Sequence, residues 1–200
     1  MLSSLGKKFI VALTGLGLGL FVIIHLLGNL TLFKSNGDSF NNYAHGLEKM
    51  GVLLIIAEIG LAAFIIVHAV TAIWLKFSAT GARPIGYQVK QSKGIAFSNI
   101  ASRNMIVTGL ILLGFIILHL YQFRFGPGIA QGYSTNVDGV EMRDLHKLVT
   151  ETFQNPLYVG IYVVCMIFLG FHLRHGYWSM FQSLGAMAPR YSVSIYYLGT

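Results

Sequence analysis

Four stretches of this chain are too long and too apolar to be anything but membrane-spanning helices. They cover about residues 9–33, 50–75, 104–123 and 155–180. A helix needs about 20 apolar residues to cross the hydrocarbon core, and each stretch supplies them or nearly so. Glu58 interrupts the second, and the fourth ends in a polar stretch around Arg174. Only 10% of the 200 residues are charged, against about 25% in a soluble domain. The expected fold is therefore all-α: an integral membrane bundle of four complete helices, with residues 1–200 as a single transmembrane domain. The uncharged run Tyr191 to Thr200 is too short to cross and reads as the start of a fifth helix.

Lys7 and Lys8 before an apolar run suggest a signal peptide. The 25 uncharged residues from Phe9 to Phe33 exceed a signal core and lack a small-residue cleavage site, so the helix is read as retained. A single cysteine, Cys165, excludes an intrachain disulfide and a cysteine-built metal site, and its apolar setting makes it a packing residue. The net charge of +7 does not point to nucleic acid, because the basic residues lie between apolar runs, where they orient a membrane protein.

The connections fall on alternating sides. One side carries Lys7, Lys8, Lys76, Arg83, Lys90, Lys93, Arg103 and Arg190, with Arg174 nearby, and no acid. The other carries Lys34, Lys49, Arg124, Arg143 and Lys147 together with Asp38, Glu48, Asp138, Glu141, Asp144 and Glu151. The excess of Lys and Arg puts the N-terminus and the 77–103 loop in the cytoplasm and the 34–49 and 124–154 loops outside. Within the latter, apolar Leu145, Leu148, Val149 and Phe153 predict a short surface helix over Asp144 to Phe153. The run Gly15-Leu16-Gly17-Leu18-Gly19 is no nucleotide loop, since no strand precedes it; small residues there admit a neighbouring helix or a flat cofactor.

Each apolar stretch contains a histidine: His25, His68, His119 and His172, with His175 competing for the last place. A polar group left unpaired in hydrocarbon costs several kcal/mol. One such residue could serve helix packing; four in four spans point to a shared task. Imidazole is the common axial ligand of haem b, and two imidazoles make a six-coordinate electron-transfer iron. His25, His68, His119 and His172 lie 16, 18, 15 and 17 residues from Phe9, Met50, Asn104 and Asn155, where their helices begin. At 1.5 Å per residue this places them about 22–27 Å along. Alternating helix direction then sets His25 with His119 near the outer face and His68 with His172 near the inner one, predicting two haems at two depths. Thr14-Gly15-Leu16 precedes His25 by the same offset as Thr108-Gly109-Leu110 precedes His119, a weak internal repeat.

FVIIHLLGN (21–29), FNNYAHGLEKMG (40–51), FIIVHAVTAIW (64–74), TGLILLGFIILHL (108–120) and FHLRHGYWSMFQSLG (171–185) together resemble the cytochrome b558-type membrane anchor of succinate dehydrogenase and fumarate reductase, in order and over nearly the whole chain. The resemblance implies five helices and two haems b, with His25 and His119 on the distal haem and His68 and His172 on the proximal one. It favours His172 over His175, since the family's ligand stands four residues before the glycine that here is Gly176. It further implies an iron–sulfur subunit and a flavoprotein subunit on the inner side. Those subunits carry the dicarboxylate chemistry, while this chain passes electrons to or from a membrane quinone, commonly menaquinone. The chain is then part of an enzyme without containing its catalytic head, and resides in the cytoplasmic membrane.

Other residues stay open between two readings. Glu58 is a functional intramembrane acid or a protonated carboxyl bonded to a neighbouring helix. Arg174 pairs with a haem propionate or extends to the interface. His45 and Glu48, at the outer start of the second span, are a proton-exchange pair for a quinone or two solvated loop residues. The rival functions are the cytochrome b anchor of a hydrogenase or formate dehydrogenase, a b561-type electron carrier, and a transporter using its histidines as a proton relay.

Overall fold

Helices with the length and composition to cross a membrane appear at four places in the computed structural model, which describes residues 3–34, 37–81 and 104–186. The spans are Ser4–Phe33, Val52–Ser78, Met105–Arg124 and Pro156–Ser183, and the protein is a multi-pass, predominantly helical membrane protein. In chain order the helices are α1 (Ser4–Asn29), α2 (Asp38–Glu48), α3 (Val52–Gly81), α4 (Met105–His119), α5 (Leu145–Gln154) and α6 (Pro156–Ser183). A 3₁₀ turn (Leu30–Phe33) continues α1, and one π-helical turn (Leu120–Arg124) continues α4. The start of a fifth helix after residue 190 lies outside the described residues, as do Arg83, Lys90, Lys93 and Arg103 of the basic loop, and Arg190.

The chain divides into two compact units. The first contains the described parts of 1–19, 61–111 and 167–200; the second contains those of 20–60 and 112–166.

In the first unit α1 begins five residues earlier than the apolar pattern alone predicts. The reason lies in Lys7, which is buried. Its Nζ sits 3.7 Å from the centre of the Trp74 ring and donates to Ser78 Oγ at 3.2 Å. A lysine with an aromatic face and a hydroxyl around its ammonium can enter a helix that the bare charge would end.

The second unit holds most of the segments that connect the spans on one side. Residues 38–48 are helical, not irregular: Gly37, at φ +73°, starts α2, Asp38 occupies its first turn, and Phe40 is buried beneath it. Asn41 fastens this helix. Its Nδ2 donates to Asp144 Oδ1 at 2.9 Å, and its Oδ1 accepts from the His146 amide at 2.9 Å. Asp144 in turn caps α5, accepting from the Lys147 amide at 3.0 Å. The surface helix expected over Asp144 to Phe153 is this α5. Between α4 and α5 lies a hairpin, β1 (Ser134–Val137) and β2 (Val140–Arg143), paired antiparallel with Val137 opposite Val140. Asp138 and Gly139 turn it with φ of 53° and 82°. Asp-Gly between alternating apolar residues is the local signal for such a turn, and it was present in the sequence.

Close backbone approaches between elements gather in this cap, where α2 meets α5, β2 and the 3₁₀ turn. Within each unit the long helices stand farther apart and meet through their side chains.

Candidate functional site

In the first unit α3 presents His68 and α6 presents His172, with ring centroids 6.4 Å apart at 65°. His175, one turn further along α6, lies in the same unit, but His172 is the one in ring contact with His68. Both rings are backed by hydroxyls from other helices. Thr14 Oγ1 of α1 lies 3.1 Å from His68 Nδ1, and Thr108 Oγ1 of α4 lies 3.2 Å from His172 Nδ1. The next residue in each case is a glycine set against the ring. A Cβ on Gly15 would stand 3.2 Å from His68 Cε1, and one on Gly109 3.5 Å from His172 Cε1. The Thr-Gly repeat visible in the sequence is therefore not aligned with the histidine that follows it on its own helix, as the offset suggested. It supports a histidine of a neighbouring helix.

In the second unit His25 of α1 and His119 at the end of α4 stand 5.7 Å apart, edge to face at 89°. Aromatic rings surround them: Phe21 stacks on His25 at 5.4 Å, and Phe115 and Phe123 flank His119 at 5.8 and 5.4 Å. Tyr162 of α6 completes the group. Its hydroxyl donates to Gln122 Oε1 at 2.7 Å and lies 3.5 Å from His119 Nδ1. Gln122 belongs to the π turn that follows His119, and its Nε2 is buried without a hydrogen-bond partner. In that turn the Phe125 amide donates to the Leu120 carbonyl at 2.9 Å. Any side chain at Gly126 would collide with the Gln122 carbonyl, so glycine is required where the turn ends.

The two pairs fit a haem. An imidazole nitrogen ligates a metal at about 2 Å, and the ring centre lies roughly 1 Å beyond it. Two imidazoles on opposite sides of one iron therefore place their centroids about 6 Å apart, the range observed in both pairs. Among the described residues no three His, Cys, Asp or Glu side chains form a metal cage. A porphyrin iron needs only two protein ligands.

The remaining expected site residues divide between the units. Arg174, half-buried on α6, is two residues from His172 in the first unit. His45 and Glu48 are neighbours on one face of α2 in the second, with His45 Nδ1 3.8 Å from Glu48 Oε2. His45 Nε2 is buried and has no hydrogen-bond partner. Burial pushes the Arg143 guanidinium below its ordinary value, and the charge of Glu48 acts against that shift. Glu58 has a partner. Arg124 Nε and Nη2 donate to its two carboxylate oxygens at 2.7 and 3.1 Å. The apolar pattern ends at residue 123 and gives no sign of this partner, whereas the π turn extends the helix to include Arg124.

No family model matches the chain, and no solved structure matches it. Over 179 residues, covering 86% of this chain and 76% of the other, it is 25% identical to the succinate dehydrogenase cytochrome b558 subunit of Bacillus subtilis (strain 168).

Proposed function

We propose that this chain is the membrane anchor and cytochrome b subunit of a succinate:quinone oxidoreductase or quinol:fumarate reductase. The observation that carries the proposal is the meeting of histidines from four spans in two pairs, each at the separation of trans axial ligands. The similarity to the b558 subunit supports the same reading. His68 and His172 would hold one haem b, and His25 and His119 another. With two protein ligands each, such haems would supply one-electron transfer.

The chain's own residues do the rest. Phe21, Phe115, Phe123 and Tyr162 exclude water around the outer pair, and Arg174 stands where a propionate of the inner haem needs a cation. Reduction or oxidation of a quinone moves two protons with two electrons. His45 and Glu48 form the proton-exchange pair, since the unpartnered His45 Nε2 can bond a quinone oxygen while Glu48 lies behind its other nitrogen. Menaquinone is the favoured quinone. The acid-free basic side faces the cytoplasm and docks the iron–sulfur subunit, which connects to the flavoprotein.

The test is native purification of the full chain from membranes, with haem and iron quantified. Two b haems per chain, together with a co-purifying covalent flavoprotein and an iron–sulfur subunit, are expected. A colourless chain, or a haem protein that brings neither subunit, overturns the assignment.

A further inference from the structure

Two hydroxyls in the first unit carry an inference that rests on the haem reading and goes beyond it. Thr14 Oγ1 lies 2.7 Å from the Ile10 carbonyl oxygen and 3.1 Å from His68 Nδ1. Thr108 Oγ1 lies 3.0 Å from the Met105 carbonyl oxygen and 3.2 Å from His172 Nδ1. A hydroxyl has one proton and two lone pairs, and a carbonyl oxygen can only accept. At these distances the proton must lie between hydroxyl and carbonyl, because otherwise two sets of lone pairs would face each other. The hydroxyl oxygen is then left as an acceptor toward the ring. A neutral imidazole carries its proton on one nitrogen only, so the contact is favourable when that nitrogen is Nδ1.

We propose that Thr14 and Thr108 are positioning residues that hold His68 and His172 as the Nδ1-protonated tautomer, with the Nε2 lone pair directed to the inner haem iron. Each threonine commits its proton to its own helix backbone and turns a histidine of another helix. Gly15 eases the approach at His68, since a Cβ there would lie 3.2 Å from the ring; at Gly109 the corresponding 3.5 Å is an ordinary contact. Outer partners of this kind orient a ligating histidine and raise its basicity. A more basic ligand favours the ferric state and lowers the potential.

The second unit offers a weaker counterpart. Tyr162 likewise commits its proton, to Gln122, but stands 3.5 Å from His119 Nδ1.

The test uses the full chain in its native membrane complex, with Thr14→Val, Thr108→Val and the corresponding Thr→Ser variants. Valine keeps the shape and removes the hydroxyl; serine keeps the hydroxyl. Both Val variants should raise the midpoint potential of the inner haem and alter its ferric low-spin EPR signal, with the outer haem unmoved. Ser variants should restore the native values. Loss of the inner haem in Val but not in Ser also supports the proposal. An unchanged inner haem in both Val variants overturns it, as does equal loss in Val and Ser, which would mean that shape rather than the hydroxyl matters. ¹⁵N spectra of histidine-labelled apo-protein decide the tautomer independently of haem. Nδ1 protonation at His68 and His172 that is diminished in the Val variants is expected even if the chain proves to bind no haem. Nε2 protonation in the native chain refutes the clamp.

Discussion

Arg124 grips Glu58 through two parallel hydrogen bonds, Nε to Oε1 at 2.7 Å and Nη2 to Oε2 at 3.1 Å, and so ties the turn after His119 to α3. Both side chains are partly exposed, 49% and 38% for Arg124 and Glu58. The intact pair is therefore worth only about 1 kcal/mol if water reaches it. Breaking it from one side is a different matter in an apolar span, because the remaining charge has no partner. Arg124→Leu should destabilise the protein by more than Glu58→Gln. The double variant should recover part of the loss, giving a nonzero coupling in a double-mutant cycle. Thermal unfolding in lipid nanodiscs measures all three.

His172 and His175 differ in what faces them. His172 has His68 across from it and Thr108 behind it. His172→Ala should remove or convert the inner haem and spare the outer one, while His175→Ala should keep both. Haem content and reduced b-band spectra distinguish the variants. The reverse pattern would transfer the ligand role to His175.

The quinone assignment predicts kinetic loss without cofactor loss. Glu48→Gln and His45→Ala should each slow quinone turnover by roughly 10²-fold or more, the usual contribution of a general acid or base. Haem content and subunit assembly should stay unchanged. Native turnover in both variants would remove α2 from the quinone site.

Asn41 is buried and uses both ends of its amide, donating to Asp144 and accepting from the His146 backbone. Asn41→Ala deprives both groups of their partner and should cost about 2–3 kcal/mol. Asn41→Asp keeps the acceptor but turns a carboxylate toward Asp144, so it should be no milder. Chemical or thermal unfolding reads the loss, and limited proteolysis should find cleavage first in the 34–49 or 124–154 segments.

What the chain's residues determined alone was the membrane architecture and the candidate histidines. Both follow from one strong rule: a helix that crosses hydrocarbon must be long and apolar, so spans and the rare polar residues inside them are visible as composition along a line. The hairpin has a local signal in the Asp138-Gly139 turn, but two four-residue strands are too short to stand out by periodicity. The tertiary structure alone decided the partners. Thr14 and Thr108 looked like a repeat attached to His25 and His119, yet they support His68 and His172. Arg124 looked like a loop cation, yet a π turn carries it to Glu58. Lys7 looked like an orientation charge, yet it is buried against Trp74. Periodicity records which residues share a helix; it contains nothing about the rotation of one helix against another. A hydroxyl's meeting with a particular ring nitrogen depends on that rotation, through distances of about 3 Å.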